Sequence, residues 1–258
     1  MSEFKMPVRP FETDIFGFVP VSTLLRLSAE AAMRRAEFEG WSQEIMAELG
    51  AVWMIAKIRM EQFCPVWGDD ELILSVSPRS LDRATYLRAV DIECGGERMA
   101  RIITATAPVS LEQRRIIRLS VMEEAFCHVV GPPEELGQVG RVTLPEEIER
   151  LGSFAVRYSD CDVNGHMSAA KYADVVSEFS GLWRESPRFM RELCIDYSAE
   201  CLPKSEMGVY GCSEPDGTGY MKGVSADGAV HFSARYELSE KNATFLAKPV
   251  DTPFNPGV

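Results

Sequence analysis

One short run of this chain gathers the side chains that hydrolytic chemistry needs: Arg157-Tyr158-Ser159-Asp160-Cys161-Asp162-Val163-Asn164-Gly165-His166-Met167. Two carboxylates and an imidazole fall close together in it. A carboxylate can take a proton from water, and an imidazole can orient or protonate a reacting group. The run stands between a strand-like segment, LGSFAVRYSD, and a helical one, MSAAKYADVVSEFSGLW. A helix start offers unpaired amides and a positive dipole end, which suit a carbonyl oxygen gaining negative charge. A plainer reading is that Asp162 or Asn164 caps the helix while Gly165 eases the turn. Capping explains one or two polar residues. It leaves the imidazole and the second carboxylate without a task.

The surrounding elements must hold this run in place. Upstream, VPVSTLLRLSAEAAMRRAEFEG sets Leu24, Leu27, Ala31 and Ala32 on one helical face, with Ser22 as the expected cap. A short helix is expected from Ser42 to Leu49, ended by Gly50. VWMIAKIRMEQF, DELILSVSPRS, TYLRAVDIECGG and RMARIITATAPVSL are β-rich runs with short turns between them, which predicts an antiparallel meander. The stretch from Val130 to Pro145, rich in proline and glycine, reads as a linker. Beyond it the plan returns: a strand, a helix, then ELCIDYSAECL, EMGVYGCS, GYMKGVSADG and VHFSARYELS.

Sliding one half over the other exposes an internal repeat. Thr13-Asp14-Ile15-Phe16-Gly17-Phe18 lies over Cys161-Asp162-Val163-Asn164-Gly165-His166, each just before its helix. IRMEQFCP lies over IDYSAECL, which sets Phe63 over Glu200 and Cys64 over Cys201. One long helix wrapped by an antiparallel sheet, made twice, is an α+β architecture.

Composition narrows the function classes. A net charge of −12 opposes nucleic-acid binding, which needs a concentrated positive field. Arginines nevertheless cluster at Arg79, Arg83 and Arg88, at Arg114, Arg115 and Arg118, and at Arg184, Arg188 and Arg191. They read as solvated surface charge or as docking patches for an anionic partner. The 7 cysteines are odd in number and show no CxxC pairing, which fits reduced thiols better than disulfides or a zinc site. With neither a membrane-length apolar run nor a signal-like N-terminus, the expected location is the cytoplasm. No metal or organic cofactor is implied. His128 and His231 have no polar company in the sequence and receive no role.

SDCDVNGHMSAAKYADVVSEF resembles the Asp-x-Asn-x-His signature of the plant and bacterial acyl-acyl carrier protein thioesterases. IDYSAEC is similar to that family's strand motif ending in Glu-Cys, and WMIAKIRMEQFCPVWGDDELILSV to its first half. The resemblance implies two tandem hot-dog units, each an antiparallel sheet wrapped round a long helix. They would span residues 1–130 and 146–258, joined by a linker at 131–145. It implies catalytic roles for Asp162, Asn164, His166 and Glu200, with Cys201 beside them, and hydrolysis of fatty acyl thioesters on the carrier's phosphopantetheine arm. Ser168 and Ala169 depart from the asparagines usual after the histidine. Gly165 and His166 amides would hold the thioester oxygen, and Asp162 or Glu200 would activate water or attack directly. A cysteine–histidine pairing is open to Cys201, although a small buried thiol fits it better. The first half would then be a degenerate site, its Phe16, Phe18 and Phe63 lining an acyl pocket or serving as ordinary core. An acyl-coenzyme A thioesterase of the same fold is the nearest competitor, and a non-enzymatic acyl-binding module comes from another class. A homodimer remains compatible with this plan.

Overall fold

Pro20 starts the first long helix. The computed structural model describes residues 2–40, 42–82, 85–113, 115–117, 136, 139–182 and 188–239. Arg83, Arg114, Arg118, Cys127, His128, Arg184 and the opening of the linker lie outside them. Helix α1 (Val21–Phe38) buries Val21, Leu24, Leu25, Ser28 and Ala31, a stripe at helical spacing. The Pro20 carbonyl accepts the amides of Thr23 at 2.9 Å and Leu24 at 3.2 Å, so Pro20 is the cap and Ser22 sits in the first turn. Helix α2 (Gln43–Glu48) is capped as expected, its Ser42 hydroxyl accepting the Ile45 amide. Helix α3 (Ala169–Phe179) buries Ala170, Tyr172, Ala173, Val175 and Val176. No described helix is long and apolar enough to cross a membrane.

Eleven strands follow in chain order among the described residues: β1 (Ser2–Pro7), β2 (Ala51–Gln62), β3 (Glu71–Val76), β4 (Ser80–Asp82), β5 (Thr85–Cys94), β6 (Glu97–Ser110), β7 (Glu149–Ala155), β8 (Met190–Tyr197), β9 (Glu206–Ser213), β10 (Thr218–Ser225) and β11 (Val230–Leu238). They form one antiparallel sheet in the order β1-β3-β5-β6-β2-β8-β11-β10-β9-β7, with β4 on β5. The expected meander holds for β3, β5 and β6 but not for β2, which pairs with β6 and β8. After Gln62 the chain leaves the sheet, and Val66 accepts the Val19 amide at 2.8 Å beside the entry to α1. That crossing delivers β3 to β1 instead.

The strand order reads the same from either edge, so the repeat is a pseudo-twofold about the β2–β8 seam. There Arg59 opposes Cys194, with Lys57 opposite Asp196 on one side and Glu61 opposite Glu192 on the other. Like charges facing each other destabilise a ladder. Arg59 relieves this pair, reaching Glu61 at 2.5 Å and Glu192 at 4.0 Å, and Arg235 reaches Glu192 at 3.1 Å. The described part of the 131–145 stretch crosses the same seam: the Val142 amide donates to Asp196 at 2.9 Å, and Lys57 to the Gly140 carbonyl. Leu136 packs on Leu87, Ala89, Ile103 and Ala105. A single apolar core joins Leu24, Ile58, Leu72 and Ile92 with Val176, Leu193, Ile195 and Phe232.

Arg79 and Arg88 are not a docking surface. Both are buried against the end of α1, where the Glu39 carboxylate takes Arg35 at 2.6 Å, Arg88 at 2.6 Å and Arg79 at 3.6 Å. Arg79 also lies over the Trp53 ring at 4.9 Å.

Candidate functional site

The chemistry-bearing run folds into a tight loop that the first half builds a second time. Asp162 N–H donates to the His166 carbonyl at 3.1 Å and Gly165 N–H to the Asp162 carbonyl at 3.0 Å; the Asn164 amide donates to Asp162 Oδ1 at 2.9 Å. In the first half, Asp14 bonds the Phe18 carbonyl at 2.7 Å, Gly17 bonds Asp14 at 3.0 Å, and the Phe16 amide reaches Asp14 Oδ1 at 2.8 Å. Gly165 and Gly17 sit at φ 80° and 83°, which side chains rarely adopt. Just upstream, Arg157 N–H donates to Asp160 Oδ2 as Arg9 N–H donates to Glu12, closing a 3-10 turn in each half. The buried Asp160 thus caps only that turn, and the N-cap of α3 is Ser168, which makes no side-chain cap bond. Asp162 is left exposed.

The two loops differ in what covers the aspartate. Asp14 is part-buried, and burial raises its pKa although the amides of Phe16, Phe18 and Gly17 pull it down. The Phe18 amide adds a bond to Asp14 at 3.0 Å. Its counterpart, the His166 amide, makes no such bond among the described residues and remains a donor. Gly165 spends its own amide inside the loop, so the oxygen-binding role expected of it does not fit. Nor does the helix dipole act at the loop itself, because α3 begins only at Ala169. His166 Nδ1 lies 3.2 Å from the Met167 carbonyl, while its Nε2 is buried without a partner among the described residues. With the Nδ1 proton donated to that carbonyl, Nε2 is an acceptor.

Glu200 reaches the loop by way of the chain beyond β8. The Met167 amide donates to the Cys201 carbonyl at 2.8 Å, so the two distant stretches meet next to His166. Asn164 and Glu200 are both exposed there. Tyr172, buried in α3, looks into the same place: its phenol is pushed well up by burial and then by Cys201, Cys161 and Glu200. Its ring stands edge-on to Tyr197 at 5.2 Å and Phe232 at 5.3 Å. Nothing in the sequence pattern marked it beyond a helix-face position. Cys201 is fully buried and bonded to Ser205 at 3.3 Å, and burial raises its thiol, which suits packing and not attack.

Hydrogen bonds also correct the overlay of the halves. Val19 N–H bonds the Val66 carbonyl at 2.8 Å where Met167 bonds Cys201, and Asp69 N–H bonds Val8 at 3.1 Å where Lys204 bonds Val156 at 2.9 Å. Asp69 and Lys204 also share a positive φ. Cys201 thus corresponds to Val66 and Glu200 to Pro65, two places away from the match that similar letters suggested. Phe63 corresponds to Ser198 and is 45% exposed, outside the core. Phe18 is buried with its ring 4.6 Å from Trp67, and Phe16 is part-buried. Phe63→Ala is accordingly expected to leave acyl chain-length preference unchanged and to cost under about 1 kcal/mol. Product profiling and thermal unfolding check both halves of that expectation.

Residues 145–240 match the family model described as the acyl-ACP thioesterase C-terminal domain. The chain superposes on an acyl-ACP thioesterase from Bacteroides thetaiotaomicron with TM-score 0.80 at 14% identity, covering 92% of this chain and 97% of that one. The 12:0-ACP thioesterase from Umbellularia californica gives TM-score 0.74 at 16% identity, covering 92% and 96%. These likenesses define the class: a double hot-dog protein. The resemblance to the acyl-acyl carrier protein thioesterases is borne out, and the match to the family's C-terminal domain falls on the half that carries Asp162, His166 and Glu200. A chloroplastic palmitoyl-acyl carrier protein thioesterase from Cuphea hookeriana is 22% identical over 83% of this chain, which spans 55% of that protein's length.

Proposed function

We propose that this chain hydrolyses the thioester of a fatty acyl-acyl carrier protein and releases the free fatty acid. The observation that carries the reading is a contrast between two loops of one backbone. The first half holds Phe16, Phe18 and Pro65 where the second holds Asn164, His166 and Glu200. Shared backbone accounts for shared turn chemistry, and the aspartate persists in both halves as a turn acceptor. The polar residues found in one loop alone are left to function.

Glu200 is then the general base, since the first half has Pro65 in its place and Glu200 stands exposed at the corner. It takes a proton from water, whose oxygen bonds to the acyl carbon as the carbon–sulfur bond breaks. The departing sulfur leaves as a thiol once it receives that proton. His166 Nε2 accepts the other hydrogen of the water and orients it, and the His166 amide donates to the carbonyl oxygen as charge develops there. Asn164 and Asp162 position the substrate and the loop. The division into residues 1–130, a linker at 131–145 and residues 146–258 belongs to the same reading, with Phe16 and Phe18 on the side of the acyl chain. So does a cytoplasmic location.

The carrier is tested by offering one acyl chain on acyl carrier protein and on coenzyme A in parallel. A kcat/KM at least about tenfold higher on the protein, a difference of about 1.4 kcal/mol, supports the reading. Equal or reversed preference favours the coenzyme A thioesterase.

A further inference from the structure

His231 stands on β11 beside the corner that carries Glu200. Its carbonyl accepts the amides of Ser198 at 2.9 Å and Ala199 at 3.4 Å. The first half builds the same corner with Met99, whose carbonyl accepts Phe63 at 2.8 Å and Cys64 at 3.4 Å. Backbone bonds shape the corner in both halves, and a side chain holds the matching carbonyl in each: Gln62 Nε2 donates to the Cys64 carbonyl at 3.2 Å in the first half, and His231 Nδ1 lies 3.4 Å from the Ala199 carbonyl in the second.

The imidazole is 8% exposed, and its Nε2 is buried without a partner among the described residues. An unbonded buried ring nitrogen costs folding free energy that a methionine in the same place does not. A methionine there would relieve that nitrogen and lose the bond to the Ala199 carbonyl. The Ala199 carbonyl and the Glu200 amide belong to one planar peptide unit, so a bond to that oxygen fixes the plane from which Glu200 departs. On the far side, the Met167 amide holds the Cys201 carbonyl at 2.8 Å. Glu200 sits between two anchored peptides, one of them held by His231.

We propose that His231 is a positioning residue for the hydrolysis: its Nδ1–H holds the Ala199–Glu200 peptide so that the Glu200 carboxylate meets the attacking water. This rests on the reading of Glu200 as the general base. The test compares His231→Met, His231→Asn and His231→Gln with the wild type, on the acyl-acyl carrier protein that the wild type cleaves fastest. Met is what the first half carries at the matching place, where Gln62 holds the carbonyl instead. Asn places an N–H where Nδ1–H stands, and Gln places its amide where Nε2 stands.

His231→Met is expected to fold with an unchanged or higher Tm, to lose about 10- to 100-fold in kcat, and to keep KM within about twofold. His231→Asn should recover kcat to within about threefold of wild type, and His231→Gln should stay with Met. Wild-type kcat in His231→Met overturns the proposal. So does a loss shared equally by Asn and Gln that tracks a fall in Tm, because that is a packing role. If His231→Met fails to fold, the contrast between Asn and Gln decides. A wild type inert toward every acyl thioester refutes the proposed function itself, whereas an active wild type with full-rate His231→Met refutes this inference alone.

Discussion

Glu200→Gln is expected to lower kcat by about 10²- to 10⁴-fold, the usual contribution of a general base, and to leave Tm unchanged. The substitution keeps shape and hydrogen-bonding capacity and removes only basicity. Glu200 is exposed, and changes at exposed positions seldom cost much stability. The peptides beside it are held by Met167 and by β11, and neither hold involves the carboxylate. A rate within about fivefold of wild type would transfer the base to Asp162. A fall in Tm of several degrees would show that Glu200 braces the corner and does not act on water.

Glu39→Gln is expected to produce the largest loss of stability, about 3–5 kcal/mol. Its carboxylate closes α1 and is the shared partner of Arg35, Arg79 and Arg88. Burial, followed by the neighbouring Arg88, already draws the Arg79 guanidinium down to about 10, and Glu39 opposes that shift. A glutamine keeps two polar atoms but no charge, so buried guanidiniums lose their counterion in a region with little water. For a chain of this size the loss lowers Tm by roughly 10 °C or more. Differential scanning calorimetry reads it directly, and a change under about 2 °C would mean that the cluster is solvated. Turnover at low temperature should survive, since Glu39 and the three arginines it holds include none of the candidate catalytic groups.

Much of the fold is legible in the residues because most of its signals are local. EMGVYGCS coincides with β9, Ser42 caps α2, and the two helices follow their apolar stripes. What escapes is set by partners far along the chain. The place of β2 between β6 and β8 depends on where the loop after Gln62 crosses the entry to α1, and no turn residue encodes that. Ser22 has the chemistry of a cap, yet the Pro20 carbonyl two residues earlier captures the first helical amides.

The candidate site shows the same division. Asp162, Asn164 and His166 fall in one run and can be read there. Glu200 comes from the resemblance of IDYSAEC to the family's strand motif, and the coincidence of Cys64 with Cys201 pulls its overlay on the first half two residues out of register. Backbone hydrogen bonds restore it, because they follow geometry and not letters. His231 stands alone in the chain, and its partner Ala199 is 32 residues away. Tyr172 looks like any apolar position on a helix until burial, and then Cys201, Cys161 and Glu200, push its phenol up.

The most direct measurement profiles the free fatty acids released from acyl-acyl carrier protein by the wild type and by His166→Ala. A wild-type product spectrum that depends on chain length, reduced by about 10²-fold or more in the variant, is the predicted result. Release that is undiminished when His166 is gone, or no release by the wild type on any chain length, would contradict the account.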